Sequence, residues 1–302
     1  MAEQYVCAVS VASIWSNPNM VREIDKHAIS NPVSIFNWID EMTKKERDAL
    51  CRENRLHTQV LYGELLEVDT IQGEWAKVRA VEQPYRDVNN GYPGWIPIAQ
   101  LKEKVEREAI GYMRVKEPRT QLYDQGGLPL LVLSFNTMLP VLSEESNSYT
   151  VAIPHGQGKV LKAAVDFTTN KFAFPKKTAQ AFAEEMLKFL DIPYFWAGMS
   201  SYGYDCSGLT YNAMKACGYK IPRDASDQAK GGQKVSLENR AAWQVGDLLF
   251  FASNGEGRVR HVGIYIGKNR LLHTSIAGGK VEVIHLQGHQ LDQEIVQVRR
   301  YL

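Results

Sequence analysis

Cys206 stands where a glycine-rich loop, Gly198-Met199-Ser200-Ser201-Tyr202-Gly203, runs into Asp205-Cys206-Ser207-Gly208-Leu209. From Leu209 the pattern turns helical, with Ala213 and Cys217 following on one face, Gly218 as the stop and Asp205 in the N-cap position. A thiol in the first turn of a helix lies beside unpaired N–H groups and the positive end of the macrodipole, which favour the thiolate, the form that attacks carbonyl carbon. A free thiol pKa of about 8.5 can fall by several units in such a place. Most unpaired cysteines are plain core residues, so the reading turns on what lies downstream.

Two histidines lie there. After Trp243-Gln244-Val245-Gly246-Asp247, a turn, and the apolar run Leu248-Leu249-Phe250-Phe251, a strand opens as His261-Val262-Gly263-Ile264-Tyr265-Ile266. Gly267-Lys268-Asn269 then leads to Arg270-Leu271-Leu272-His273-Thr274. A hairpin with an odd loop centred on Gly267 sets His261 opposite His273, on one face and about 4.5–5.5 Å apart at Cα. A two-residue loop at Lys268-Asn269 would put them on opposite faces. A cysteine, a base beside it and a polar group that fixes the base's tautomer make a nucleophilic acyl-transfer site.

Taken together, Pro193-Tyr194-Phe195-Trp196-Ala197-Gly198, the Asp205 to Leu209 run, Ile221-Pro222-Arg223, Gly246-Asp247-Leu248-Leu249-Phe250-Phe251, His261-Val262-Gly263-Ile264-Tyr265 and His273 resemble the NlpC-type cysteine peptidases of bacterial cell-wall metabolism. The resemblance covers Thr178 to Leu302, and with the N-terminal part it extends to the YkfC-type subgroup, γ-D-glutamyl-L-diamino-acid endopeptidases. It implies a papain-like core with Cys206 as nucleophile, His261 as base and His273 as the orienting residue. It also implies a Tyr194 hydroxyl near the oxyanion beside the Cys206 backbone N–H, Trp196 lining the pocket, and substrate contacts from Asp205, Ser207, Arg223, Asp224 and Ser226. Members commonly carry a hydroxyl residue directly after that Asp, whereas here Ala225 intervenes before Ser226. By residue type alone, Arg223-Asp224 would be an ordinary surface ion pair.

The chain has 302 residues, 44% of them apolar, enough for two or three domains with real cores. Its 35 Lys+Arg against 34 Asp+Glu give a net charge of +1, which makes no electrostatic case for nucleic acid or an anionic membrane. A small partner, a murein peptide, is expected. Cys7, Cys51, Cys206 and Cys217 are too scattered for a disulfide framework, and no cysteine-histidine cluster suggests zinc, so neither metal nor cofactor is expected. The first residues lack the basic start of a signal peptide, and no apolar run reaches the length of a membrane span. The plain reading is cytoplasmic; a mature secreted enzyme with an added Met1 would look the same.

The first two-fifths reads as short strands with Gly and Pro between them: Tyr5 to Val11, Ala12 to Trp15, Gln59 to Tyr62, Glu64 to Val68, Trp75 to Ala80 and Gly91 to Pro97. Ile35 to Cys51 interrupts them as a helical insertion. Val11 to Trp15 is echoed by Arg119 to Tyr123, and Leu66 to Val68 followed by Trp75 to Val78 is echoed by Leu139 to Val141 followed by Tyr149 to Ala152. Two barrels in tandem explain the echo, and they look like bacterial SH3-like domains. An amphipathic helix over Thr178 to Leu190 then opens the catalytic part. The expected fold is α+β, a papain-like C-terminal catalytic domain (173–302) preceded by two small all-β SH3-like barrels (1–105 and 106–172).

The expected activity is hydrolysis of the γ-D-glutamyl bond to L-Lys or diaminopimelate in murein peptides. In the subgroup the first SH3-like domain closes the cleft beyond L-Ala, and the matching residues here are Glu64 and Tyr92, placed to take a free N-terminal ammonium. Two other readings are an acyltransferase with the same cysteine and histidine, and a wall-binding module that has lost catalysis.

Overall fold

The computed structural model describes residues 3–86, 91–171, 173–255 and 257–302. The first strands are β1 (Glu3–Cys7), β2 (Val11–Trp15), β3 (Leu56–Leu61), β4 (Leu65–Gln72), β5 (Trp75–Ala80), β6 (Tyr92–Pro97) and β7 (Leu101–Glu103). A second set follows: β8 (Gly111–Val115), β9 (Arg119–Tyr123), β10 (Pro129–Ser134), β11 (Met138–Glu144), β12 (Ser148–Ile153), β13 (Gly156–Leu161) and β14 (Val165–Thr168). The first sheet runs β3-β2-β6-β5-β4-β1-β7 and the second β10-β9-β13-β12-β11-β8-β14. Adding seven to each strand of the first order gives the second. The tandem repeat is therefore real in topology, and the echoed segments, β2 with β9 and β4-β5 with β11-β12, are its equivalent strands.

Two details differ from the sequence reading. The expected strand from Tyr5 to Val11 breaks at Ala8 to Ser10, because the chain turns a corner of the barrel there: β1 pairs with β4 and β7, whereas β2 pairs with β3 and β6. The helical insertion is likewise divided, into α1 (Lys26–Ile29), α2 (Ile35–Glu41) and α3 (Lys44–Arg52). Thr43 makes the last break by capping α3: its Oγ1 accepts the Glu46 N–H at 3.3 Å while Glu46 Oε2 accepts the Thr43 N–H at 2.7 Å. Trp38 fastens the insertion to the barrel, its ring 6.0 Å from Trp15 and its Nε1 donating to buried Asp25 at 2.9 Å.

The chain forms two compact units: Met1–Gln83 with Asn90–Phe174 and Met199–Tyr202, and Pro84–Asn89 with Pro175–Gly198 and Gly203–Leu302. In the first, the backbone N–H of Met199 donates to Gln59 Oε1 at 3.0 Å and that of Ser201 to Ser134 Oγ at 2.9 Å. Tyr62 is buried in the core of the second barrel with Leu139, Val141 and Val151. The boundary expected at residue 172 lies outside the described residues.

The second unit contains α4 (Ala179–Met186), capped by Thr178, then α5 (Cys206–Ala216), α6 (Ala225–Gln228) and α7 (Gln290–Gln293). Phe182, Met186 and Phe189 are buried on the apolar face of this helix, whereas Leu190, after a final 3-10 turn, is 40% exposed. Between α4 and α5 in sequence come the two-residue strands β15 (Met199–Ser200), which belongs to the first unit, and β16 (Gly203–Tyr204). The remaining strands are β17 (Gln233–Val235), β18 (Leu248–Phe251), β19 (His261–Tyr265), β20 (Arg270–Thr274), β21 (Val281–His285) and β22 (Ile295–Arg300). They form an antiparallel sheet ordered β17-β22-β18-β19-β20-β21, with α5 packed on β19. The α+β class and the SH3-like and papain-like parts match the sequence reading. Among the described residues, no helix is long and apolar enough to cross a membrane.

Candidate active site

Cys206 is the first residue of α5, and the Asp205 carboxylate caps the helix by accepting the Gly208 N–H at 2.6 Å. The loop ahead of it is held by close backbone approach. A side chain on Gly198 would collide with Gly203 and Phe195 carbonyl oxygens, so only glycine fits. Tyr194 is fixed alongside: its N–H donates to the Gly279 carbonyl at 2.8 Å and its backbone bridges to Tyr204. Trp196 is half-buried, two residues on.

Arg223 corrects the expectation of a surface ion pair with its neighbour Asp224. It is only 1% exposed, and its guanidinium grips Asp205 through both carboxylate oxygens, at 2.6 and 3.1 Å, and Ser207 Oγ at 2.8 Å. A buried arginine needs such partners, and Asp205, N-cap of the nucleophile's helix, supplies the carboxylate. Asp224 is the N-cap residue of α6, where Ser226 is half-buried.

The hairpin that carries the histidines has an odd loop, but its centre is Lys268. Ile264 pairs with Leu272 and Tyr265 with Leu271, two positions beyond the expected register. Gly267, Lys268 and Asn269 all take left-handed φ angles, of 81°, 51° and 59°, and so close the turn in three residues. His261 and His273 are therefore diagonal neighbours instead of directly opposed residues. A shift of two preserves the face, and His261 Nε2 lies 3.0 Å from His273 Nδ1. The nitrogen of His261 that meets His273 is thus Nε2, which leaves Nδ1 for a thiol proton.

Burial dominates the electrostatics. It pushes the Cys206 thiol up to about 12, with Asp205 adding to the rise, while the Val262 and Ser207 backbone N–H groups and Arg223 pull the other way. The depressed thiol pKa expected from helix position alone is therefore not the resting state, even though the side chain keeps some exposure. His261 is held well below the ordinary imidazole range by burial, then by His273 and Arg260. Burial thus favours the neutral thiol and the neutral imidazole, and His261 is the group placed to take the thiol proton as the sulphur attacks.

His273 is lowered to about 4 by burial and by His289. A histidine with a depressed folded pKa leaves the unfolded chain to bind the proton first, so stability is full above about 6.5 and drains away as pH falls towards 4. At 1.36 kcal/mol per unit that is about 3 kcal/mol. Thermal melts at pH 7 and pH 4.5 should show a larger acid loss for the wild type than for His273→Asn.

Glu64 and Tyr92 belong to the first compact unit. Glu64 is 8% exposed in the turn between β3 and β4, where Oε2 accepts the Leu61 N–H at 3.0 Å and Oε1 accepts from Gln83 Nε2 at 2.9 Å. It is not a solvated strand residue. Tyr92, also buried, meets His57 edge-on at 6.2 Å. Two residues escape the sequence reading. Gln228, fully buried, ties α5 to the Arg223 loop by bonding Thr210 Oγ1 at 2.8 Å, the Ser207 carbonyl at 3.1 Å and the Pro222 carbonyl at 2.9 Å. Glu282 lies beside His273; the alternation Val281-Glu282-Val283 is the strand signal that could have found it. Among the described residues, no group of three His, Cys, Asp or Glu side chains is placed to hold a metal ion.

The profile of the NlpC/P60 family matches residues 191–300, and that of the YKFC SH3b2 domain matches residues 115–166. The γ-D-glutamyl-L-lysine dipeptidyl-peptidase of Bacillus subtilis is 37% identical over 296 residues, 96% of this chain and 96% of the relative. The protein of the same name from Bacillus cereus is 37% identical over 301 residues, 97% of this chain and 90% of the relative. The crystal structure of an NlpC/P60 family protein from Bacillus cereus superposes with a TM-score of 0.92 at 36% identity, covering 99% of each chain.

Proposed function

Because this chain belongs to the NlpC/P60 family, we propose that it is a cysteine peptidase that hydrolyses the γ-D-glutamyl bond to an L-diamino acid in murein peptides. The observation that carries the reading is the 3.0 Å contact between His261 Nε2 and His273 Nδ1 in the unit that starts a helix at Cys206. Cys206 sulphur attacks the γ-carbonyl of D-glutamate as its proton passes to His261 Nδ1. The oxyanion is met by the Cys206 backbone N–H and the Tyr194 hydroxyl. His261 then gives the proton to the departing amine, and water, activated by the same imidazole, releases L-Ala-γ-D-Glu. Asp205, Ser207, Asp224, Ser226 and Trp196 line the acyl side, and Arg223 acts through Asp205 and Ser207. The domain reading of two barrels over 1–105 and 106–172 and a catalytic domain over 173–302 goes with this proposal.

A dipeptidyl-peptidase, as the two Bacillus relatives are named, counts two residues from a free amine. We assign that recognition to Glu64 and Tyr92, since an ammonium taken from water needs a carboxylate and acceptors. This specificity suits released peptides and a cytoplasmic role in recycling them. Glu64→Gln should raise KM for L-Ala-γ-D-Glu-L-Lys by roughly 10- to 100-fold, the worth of a charge-assisted hydrogen bond, with kcat little changed. Mass spectrometry of products from free and N-acetylated tripeptides tests the whole reading. Equal cleavage of both removes the amine clamp; no cleavage at the γ-D-glutamyl bond removes the activity.

A further inference from the structure

His273 Nε2 is buried and has no hydrogen-bond partner among the described residues, although a buried N–H is normally paired. The tautomers can be deduced from the other end. If His261 offers Nδ1 to the thiol proton, its hydrogen sits on Nε2, and His273 Nδ1, 3.0 Å away, must be the acceptor. The hydrogen of His273 is then on Nε2 and points out of the cluster. Glu282 waits there. It is the direct cross-strand partner of His273 between β20 and β21, and its Oε1 lies 3.7 Å from Nε2. The turn before it lies close against the carboxylate, and a Cβ on Gly278 would meet Glu282 Oε1. Ser275 Oγ holds that turn by accepting the Gly278 N–H at 3.0 Å.

We propose that Glu282 is a positioning residue of the catalytic centre, accepting His273 Nε2–H and so fixing the tautomer in which His273 Nδ1 receives the His261 Nε2–H. This rests on the catalytic assignment of Cys206, His261 and His273. A separation of 3.7 Å exceeds a hydrogen bond by about half an ångström, and a small swing of a side chain that is 30% exposed closes it. During attack the S–H bond breaks and an N–H bond forms on His261 Nδ1. No proton leaves His273, and none is passed to Glu282. Among the described residues, the other charged or titratable neighbours include His289 beside His273, Arg260 beside His261 and paired with Glu294, and Lys280 beside Glu282 and paired with Asp191.

Nitrogen-15 NMR of histidine-labelled wild-type protein reads the tautomer directly, without turnover. The Nε2–H form of His273 is expected; the Nδ1–H form overturns the proposal. In kinetics with L-Ala-γ-D-Glu-L-Lys, Glu282→Leu should lower kcat by about ten-fold or more, the usual cost of removing a histidine's orienting partner. KM should stay within about two-fold, and Glu282→Gln, whose amide oxygen still accepts, should restore most of the rate. Wild-type kcat in Glu282→Leu overturns the proposal. So does a loss confined to KM, which would mean that Glu282 binds the substrate's diamino side chain. If Glu282→Leu melts below the wild type, the wild-type NMR assignment decides alone. An inactive wild type would sink the catalytic assignment and leave the tautomer measurement standing.

Discussion

Cys206→Ala is expected to reduce cleavage of L-Ala-γ-D-Glu-L-Lys to background, a loss on the order of 10⁴- to 10⁶-fold, with the thermal melt unchanged. His261→Ala should cost nearly as much, and the double variant no more than either. Residues that act as one unit fail together. Labelling with a thiol alkylating reagent gives the sharper result, because burial pushes the Cys206 thiol up to about 12. Cys7 and Cys217 are buried, whereas Cys51 and Cys206 keep some exposure. Left to its surroundings alone, Cys206 would react more slowly than Cys51. With His261 taking its proton it should label first, and in His261→Ala the preference should pass to Cys51. Preferential labelling of Cys51 in the wild type, or an active Cys206→Ala protein, would sink the mechanism.

That contrast marks where sequence reasoning reaches its limit. The N-cap, the helix start and the two histidines are local patterns, and each stands where it was expected. The pairing of His261 with His273 survived a wrong register because any even shift keeps both rings on one face, so face was legible and contact geometry was not. The thiol's environment was not legible either. A helix terminus is written in a few residues, while desolvation sums over everything packed around the sulphur. Long-range partners were hidden for the same reason. The Met199 N–H donates to Gln59, 140 residues away, and no periodicity joins them. The barrels fared better, because repetition lets one copy check the other: β9 reads weakly alone and clearly beside β2.

The ion pair between Arg223 and Asp205 should have the largest effect on stability. Both side chains are nearly closed to solvent, at 2% and 9% exposure, and 18 residues of chain separate them. Removing one partner of a buried pair strands the other charge, at a cost of about 3–5 kcal/mol. Arg223→Ala should therefore unfold at markedly lower urea than the wild type. Arg223→Lys should recover little, since one ammonium cannot reproduce the fork that spans both carboxylate oxygens and Ser207 Oγ. Asp205→Asn keeps an oxygen for the Gly208 N–H but strands the guanidinium, so it too should be unstable. The combination of Arg223→Met with Asp205→Asn removes both charges and should regain much of the lost stability, a coupling that a double-mutant cycle measures. Activity should not return with it. Arg223 lowers the Cys206 thiol pKa and anchors the turn from which the sulphur projects, and neither survives the exchange. Additive losses in the cycle would mean that the two residues contribute separately, and a stable, fully active double variant would free the nucleophile's turn from the ion pair altogether.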